Sequence, residues 1–235
     1  MKISFVIPSY NSVHFLPIAV KSVMDQTYKD WELVIVDDKS TDYTWQYLEW
    51  LEGKKDERIK IVRPEKNLGR AGARNLGNAN ATGDIIAILD ADDAATPNRA
   101  QLTVDKFRST GADYVYGSYT AIDSVGNELG QVRADVFKKE RAASELLNRI
   151  GHCTAAYTSA IANEFPYSVD PEVSRLGIDD WEQQTRISLA GKKFEFIPQL
   201  IGVYRLSDTG VTATRNNDEV MAYKRAFLKA LEVPA

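Results

Sequence analysis

Cysteine and histidine are scarce in this sequence. Cys153 is its single cysteine, and there are two histidines in 235 residues. One cysteine excludes an intramolecular disulfide and is typical of a protein from a reducing compartment. A lone cysteine is more often a small buried thiol than a nucleophile, so we expect no thiol chemistry from Cys153.

A strong charge of either sign and a long hydrophobic run are also absent. Lys and Arg number 29 against 33 Asp and Glu, a balance without the basic footprint of a nucleic-acid-binding protein. No apolar run approaches the roughly 20 residues of a membrane-spanning helix, so we expect no transmembrane segment. No signal peptide is visible before the apolar stretch Ile3–Ile7. We therefore expect a cytoplasmic protein, or one held at the inner face of a membrane by a partner.

The most informative stretch is the apolar run Ile85–Leu89, which is followed at once by the acids Asp90, Asp92 and Asp93. Such a run is typical of a strand buried on both faces, and parallel strands present functional groups at their carboxyl ends. Neighbouring carboxylates repel one another, and Mg²⁺ or Mn²⁺ shared with substrate phosphates relieves that repulsion. The alternative is a solvated acidic turn before a helix that begins at Pro97.

Strand and helix patterns alternate over the first ninety residues. Strands are predicted at 3–7, 31–36, 58–63 and 85–89, with amphipathic helices between them. This alternation predicts a parallel sheet with helices on both faces. The strand ends Pro8–Asn11, Asp37–Asp38 and Asp90–Asp93 then line one crevice, where an open α/β sheet binds its ligand.

The second half is less regular. Helices are predicted at 97–109, 138–149 and 218–231, and strands at 114–119, 194–197 and 201–204. The segment 175–191 carries a further predicted helix, whose start is Gly177–Trp181. Pro198 separates the last two strands, because proline cannot donate to a sheet ladder. No linker divides the chain, so we predict one domain.

Glycines open the helix predicted after Asn67. Gly69 and Gly72 precede Arg74, and a helix N-terminus with a nearby arginine favours anions such as phosphate. The alternative is that these glycines only form a loop. The segment is not a P-loop, because no Gly-Lys-Ser/Thr follows.

Several segments together resemble the family 2 glycosyltransferases. Their order and intervals match the nucleotide-sugar half of that family at Pro8–Asn11, Val36–Asp42, Asn67–Gly77 and Asp90–Asp93. Ile178–Trp181 is similar to the family's acidic pair before a tryptophan. The resemblance implies a GT-A fold, an open and mostly parallel α/β sheet flanked by helices, with a smaller mixed lobe on the acceptor side. It also implies a single domain over residues 1–235, in which residues 1–93 bind the nucleotide sugar and residues 94–235 face the acceptor.

The activity implied by the resemblance is an inverting transfer of one sugar from a nucleoside-diphosphate donor, most often a UDP-sugar. The receiving group is a hydroxyl of a carbohydrate or glycolipid, in surface polysaccharide or glycoconjugate synthesis. A homodimer contact is a further expectation, because little chain follows the catalytic core.

Donor-binding roles carry over to the strand ends. Tyr10 stacks on the nucleobase above a turn shaped by Pro8 and Asn11. Asp38 accepts a hydrogen bond from the uracil imide N–H, a choice that excludes bases without a donor there. The alternative for Asp38 is an N-cap of the following helix.

Phosphate and metal roles follow at the next two segments. Gly69 lies on the diphosphate side. Arg74 pairs with Asp90 or with the diphosphate, and we favour a structural pair that the phosphate influences. The resemblance assigns Asp92 or Asp93 as the direct ligand of Mn²⁺ or Mg²⁺, and Asp90 as a group that contacts the ribose or supports the metal ligands.

The acceptor side carries the proposed base. Asp180 takes the proton of the acceptor hydroxyl, with Asp179 as a substrate-binding neighbour, and the helix dipole favours their ionised forms. The alternative is that both acids only cap this helix. Trp181 is either an apolar wall facing the sugar or part of the core. His152 is a candidate contact to acceptor hydroxyls.

One departure from the family keeps alternatives open. Ser207 stands where many members carry a histidine near the metal, and serine is a poor metal ligand. A catalytically silent carbohydrate- or nucleotide-binding scaffold on the same fold is therefore one alternative. A sugar-1-phosphate nucleotidyltransferase is another, although the Gly-rich basic loop expected after its first strand is missing here.

Overall fold

The computed structural model describes residues 1–136, 150–207 and 214–231. The strands in this part of the chain are β1 Ile3–Ser9, β2 Trp31–Asp37, β3 Ile59–Val62, β4 Ile85–Ile88, β5 Ala94–Ala95, β6 Tyr114–Ile122, β7 Glu128–Val132, β8 Ala156–Thr158 and β9 Phe194–Arg205. The helices are α1 Leu16–Met24, α2 Thr44–Glu52, α3 Gly69–Asn80, α4 Arg99–Thr110, α5 Ser159–Glu164, α6 Pro171–Leu176, α7 Asp179–Leu189 and α8 Asn217–Ala230, and His152–Thr154 form a short 3₁₀ turn. None of these helices combines the length and the apolar character needed to cross a membrane.

The first four strands form the parallel part of the sheet, in the order β3-β2-β1-β4. The central strand β1 pairs in parallel with β2 from Ile3 to Ser9 and with β4 from Ile3 to Val6. All four carboxyl ends therefore meet at one edge, as the alternation of strands and helices predicts. Strand β1 continues through Pro8, which the sequence prediction placed after the strand.

The same sheet continues into the second half of the chain. Strand β8 pairs antiparallel with both β4 and β6, so β6 runs parallel to β4. Strand β9 follows in parallel beside β6, and the short β5 closes this side antiparallel to β9. The result is a mixed, open α/β sheet that joins the two halves directly.

Side-chain alternation along the strands builds a core on each face. Helices α1, α2 and α4 pack on the face that carries Phe5, Leu33 and Ala87. Helices α3 and α5 pack on the opposite face, with Val6 and Val34. Helices α6, α7 and α8 form a separate small hydrophobic cluster around Trp181.

Helix α3 approaches β1 closely enough to require glycine. A Cβ placed on Gly77 would lie 2.4 Å from Cγ1 of Val6, well inside van der Waals contact. This contact fixes α3, with its arginine, above the central strand.

The helix predicted to start within Gly177–Trp181 is α7, which begins at Asp179. Gly177 adopts a left-handed conformation (φ +64°) that ends the separate short helix α6 before it. The prediction of two strands at 194–197 and 201–204 is wrong, because they are one strand with a bulge. Consecutive residues Gly117 and Ser118 pair with Ile197 and Leu200, so the ladder passes over Pro198 without needing its missing N–H.

Smaller differences concern strands and caps. The strands β5 and β7 were not predicted, because both are short. The helix expected from Pro97 begins at Arg99. The helix predicted at 138–149 lies outside the described residues.

Candidate active site

The turns after β1 and β2 are joined by Asn11. Its side-chain Oδ1 accepts a hydrogen bond from the backbone N–H of Thr41 at 2.8 Å, and its own N–H donates to Oγ of Ser40 at 2.9 Å. Asn11 has a positive φ of 50°, which asparagine tolerates better than most residues. The turn holds Tyr10 outward with 51% of its surface exposed, so the ring is available to a ligand.

Asp38 lies at the carboxyl end of β2, buried to 3% exposure. Its Oδ1 accepts a hydrogen bond from the N–H of Leu68 at 2.7 Å, and its carbonyl accepts from Nδ2 of Asn67 at 2.7 Å. Burial raises the pKa of Asp38, although hydrogen bonds from the N–H groups of Leu68 and Gly69 partly offset that effect. Asp38 therefore does not cap α2. It ties β2 to the start of α3 through the backbone N–H groups of Leu68 and Gly69.

Arg74 connects two acids that are far apart in sequence. Its guanidinium donates to Oδ1 of Asp90 at 2.7 Å and also to Oδ2 of Asp179, which is 105 positions away in the chain. Asp179 receives a second arginine, because Nε of Arg70 donates to its Oδ1 at 3.0 Å. Arg74 and Asp179 are 3% and 1% exposed. The buried pair therefore fastens α3 to the first turn of α7.

The arginines also set the charge of these acids. Burial raises the pKa of both Asp90 and Asp179, but the charge of Arg74, together with that of Arg70 and the hydrogen bonds from these arginines, lowers both pKa values overall. Both acids therefore stay ionised. Because both oxygens of Asp179 accept from arginines, its main role in the structure is to anchor the loop before Asp180.

Asp180 is half-buried in the first turn of α7, and its Oδ1 accepts a hydrogen bond from the N–H of Trp181 at 2.7 Å. Trp181 itself is only 3% exposed. Its ring contacts Phe227 edge-on at 5.6 Å, and Nζ of Lys224 lies 4.6 Å from its centre. The expectation of a sugar-facing wall at Trp181 is thus corrected: the ring packs in the core beneath Asp180.

His152 lies among the charged groups of the site, and its electrostatic neighbours include Asp90, Asp180 and Arg74. Nε2 of the imidazole is 3.2 Å from the hydroxyl of Tyr167. Burial, aided by Arg74, lowers the pKa of His152 to about 4. The ring is therefore neutral at physiological pH and can donate or accept a hydrogen bond.

The acidic loop after β4 places its carboxylates differently. Asp92 is half-buried, whereas Asp93 is 2% exposed and accepts a hydrogen bond from the N–H of Arg205 at its Oδ1, at 2.9 Å. Burial and the charge of Asp90 raise the pKa of Asp92 to about 6. Burial and the charge of Asp92 raise the pKa of Asp93.

These acids fit a divalent cation that is shared with a substrate. Oδ2 of Asp93 is buried without a hydrogen-bond partner among the described residues, and crowded carboxylates of this kind favour a hard cation. Within the same residues, no three His, Cys, Asp or Glu side chains group into a complete metal site. Phosphate oxygens are the natural source of the remaining ligands.

Sequence reasoning overlooked Arg205. Its Nε donates to the carbonyl of Asp92 at 3.1 Å, which brings the end of β9 against the acidic loop. The signal in the sequence is the place of Arg205, two residues before Ser207, the position compared with the family's histidine.

An open α/β sheet with acids at the ends of β2 and β4, and with the arginine-anchored Asp179 opposite them, is typical of a GT-A-type fold. A model of the family described as "Glycosyl transferase family 2" matches residues 4–162. The chain belongs to that family, which confirms the resemblance found in the sequence.

Relatives and solved structures agree with this assignment. The chain is 37% identical over 123 residues to the Escherichia coli UDP-Glc:alpha-D-GlcNAc-diphosphoundecaprenol beta-1,3-glucosyltransferase WfgD, covering 52% of this chain and 47% of the relative. It is 35% identical over 127 residues to the putative teichuronic acid biosynthesis glycosyltransferase TuaG of Bacillus subtilis, covering 54% and 50%. The chain thus spans about half the length of these curated relatives.

The fold is similar to that of a mannosyltransferase from Pyrobaculum calidifontis solved with GDP-Man and Mn²⁺, with a TM-score of 0.70 at 20% identity over 100% of this chain and 65% of the other. Staphylococcus aureus TarS with UDP gives a TM-score of 0.69 at 19% identity, over 88% and 61%. At this level of identity the likeness confirms the fold and leaves the ligands to other arguments.

Proposed function

We propose that this chain is an inverting glycosyltransferase that moves one sugar from a UDP-sugar to an acceptor hydroxyl. The observation that carries the proposal is the position of Arg74 between Asp90 and Asp179. This arrangement brings the acid pair of α7 to the same cleft as the strand-end acids. The cleft thereby offers a nucleotide side and an acceptor side that face each other.

On the nucleotide side, Tyr10 and Asp38 bind the base. Tyr10 offers an exposed ring for stacking, and Asp38 has one carboxylate oxygen, Oδ2, beyond the one occupied by Leu68. That oxygen accepts the imide N–H of uracil. Pro8 and Asn11 hold the turn, and Gly69 leaves the start of α3 without a Cβ beside the diphosphate.

On the acceptor side, Asp180 is the general base. It takes the proton from the acceptor hydroxyl while the acceptor oxygen bonds to the anomeric carbon. The bond from that carbon to the diphosphate oxygen breaks on the opposite face, and UDP leaves with the electron pair. One displacement of this kind inverts the anomeric configuration, and a positioned base contributes roughly 10²–10⁴-fold to the rate.

Metal use follows from the acidic loop. Asp92, the more exposed of the two candidate ligands, would hold Mn²⁺ or Mg²⁺ with help from Asp93. A cation bound there would neutralise charge on the departing diphosphate. Asp90, ionised by Arg74, is placed in this scheme to bind the ribose.

The substrates are proposed by chemical class. The names of the relatives describe transfer of glucose to a lipid-linked sugar and synthesis of teichuronic acid. We therefore favour a carbohydrate or glycolipid acceptor in surface polysaccharide synthesis, reached from the cytoplasmic side. A homodimer through α8 remains a proposal alongside it.

Calorimetric titration with UDP, GDP, CDP and dTDP, each with and without Mn²⁺, tests the proposal. We expect selective binding of UDP that strengthens with Mn²⁺. Preference for another nucleotide would overturn the role of Asp38 and keep the fold. If none of the four nucleotides binds, the result would favour a catalytically silent scaffold instead.

A further inference from the structure

We infer that Arg205 is a positioning residue that sets where the acidic loop presents Asp92. The inference rests on the proposed function of that loop, and it concerns a residue to which no role in the transfer has been given so far. Arg205 is the last residue of β9, and its side chain turns back across the loop after β4.

Four hydrogen bonds define the arrangement. The Arg205 N–H donates to Oδ1 of Asp93 at 2.9 Å, and Nε donates to the carbonyl of Asp92 at 3.1 Å. Nη1 donates to the carbonyls of Asp123 and Ser124, at 3.3 Å each. Arg205 thus holds Asp92 and Asp93 of the acidic loop and the turn between β6 and β7.

The guanidinium of Arg205 also stacks on an aromatic ring. Its central carbon lies 4.7 Å from the ring centre of Phe15, the residue that precedes α1. An arginine stacked on an aromatic ring keeps its fork of donors in one plane. Lysine has a single ammonium and cannot reach three carbonyls from that position.

The turn that accepts the Nη1 hydrogen bonds of Arg205 is itself held by hydrogen bonds. Oδ1 of Asp123 accepts hydrogen bonds from the N–H groups of Val125 at 3.0 Å and Asn127 at 2.8 Å. The Arg205 side chain therefore ties the acidic loop to a fixed frame made of β9, this turn and the start of α1.

The acidic loop needs this support because its carboxylates repel one another. Asp90, Asp92 and Asp93 carry like charges within four positions of the chain, and repulsion favours spreading them. A guanidinium on the Asp92 carbonyl keeps the loop closed while leaving the Asp92 carboxylate free of that contact. Metal and diphosphate then meet a carboxylate whose position is set in advance.

The test compares UDP binding with and without Mn²⁺ for wild type, Arg205→Lys and Phe15→Leu, by calorimetry. In Arg205→Lys we expect the gain in UDP affinity from Mn²⁺ to fall about tenfold, the size of one lost charge-assisted hydrogen bond. UDP affinity without Mn²⁺ should change by less than about threefold. Phe15→Leu, which keeps every hydrogen bond, should show a smaller loss in the same direction.

Arg58→Lys is the matched control. The Arg58 guanidinium is likewise held by several hydrogen bonds, here to the carboxylate of Asp56, and stacks on the ring of Trp31. It differs from Arg205 in lying at the opposite end of β3 from the strand-end acids. Equal losses with and without Mn²⁺, or losses equal to those of the control, would show that Arg205 only stabilises the fold and would overturn the inference. A wild-type protein whose UDP binding gains nothing from Mn²⁺ would instead remove the metal from the proposed function, and this inference with it.

Discussion

Arg74 and Asp179 form a buried ion pair that joins α3 to the first turn of α7. Each of the two residues exposes no more than 3% of its surface, and Asp90 forms an ion pair with the same guanidinium. Breaking a buried pair by removing one partner is costly, because the remaining charge is left without compensation.

We predict that Arg74→Ala destabilises the protein by about 3–5 kcal/mol, since it leaves Asp90 uncompensated and Asp179 with only Arg70. Urea unfolding followed by circular dichroism measures the change. Arg175→Ala is the control, because Arg175 pairs with Glu172 and Glu219 on the surface and its loss should barely alter the free energy of unfolding. Similar effects of the two substitutions would contradict the anchoring role of Arg74.

Asp180 is the next target, because it follows Asp179 directly in the first turn of α7 and is half-buried. Asp180→Asn should leave the UDP dissociation constant near that of wild type. Turnover of the UDP-sugar, measured as transfer or as slow donor hydrolysis, should fall by roughly 10²–10⁴-fold. Asp179→Asn is the contrasting variant and should lose stability. Survival of turnover in Asp180→Asn would assign the base to another residue.

The first half of the fold was predictable because each strand and its ending are local features. The run Ile85–Leu89 and the acids after it are adjacent in sequence, and parallel strands bring their carboxyl ends together by topology. The acids at Asp38 and Asp90 could therefore be placed at one edge without knowledge of the packing.

The second half depends on contacts that sequence spacing does not reveal. The bulge at Pro198 exists because β9 must stay paired with β6. The residues near Pro198 in the sequence do not indicate that β6 is the partner strand. Trp181 adjoins an acidic pair, yet its burial is decided by Phe227 and Lys224 from α8. Arg205 likewise reads as the end of a strand until Asp92 is seen beside it.

Asp38 offers a test of base selectivity. In Asp38→Asn the amide oxygen can still accept the hydrogen bond from Leu68, so the link to α3 is kept, but the amide nitrogen replaces the second acceptor. UDP affinity should fall about tenfold, because the uracil imide N–H then faces a donor. CDP affinity should rise relative to UDP, because N3 of cytosine accepts a hydrogen bond.

The control for this variant is Asp113→Asn. Asp113 also accepts a backbone hydrogen bond, from Lys193 at 2.7 Å, but it precedes β6 at the opposite edge of the sheet. Calorimetric titration with both nucleotides measures the ratio of affinities. An unchanged ratio in Asp38→Asn would remove Asp38 from the base pocket.

The hydrogen bonds of Glu32, which lies away from the candidate site, allow a prediction of how the free energy of unfolding changes at acidic pH. Its carboxylate accepts hydrogen bonds from Nζ of Lys2 at 2.5 Å, Oγ of Ser4 at 2.6 Å and the N–H of Thr82 at 2.5 Å. Although burial opposes ionisation, these donors prevail and lower the pKa of Glu32 from 4.5 to about 2. A carboxyl whose pKa is lower in the folded state stabilises the fold above its unfolded pKa and ceases to do so as pH falls through the folded value.

Wild type should therefore lose about 2–3 kcal/mol from Glu32 alone between pH 5 and pH 2. Glu32→Gln should be less stable than wild type at pH 5, and the difference should shrink as the pH approaches 2. Urea unfolding at several pH values in this window measures both curves, and subtraction removes the contribution of the other acids. Glu57→Gln, at an exposed position, should run parallel to wild type throughout. A constant offset between Glu32→Gln and wild type would mean that the hydrogen bonds of Glu32 do not depend on its charge.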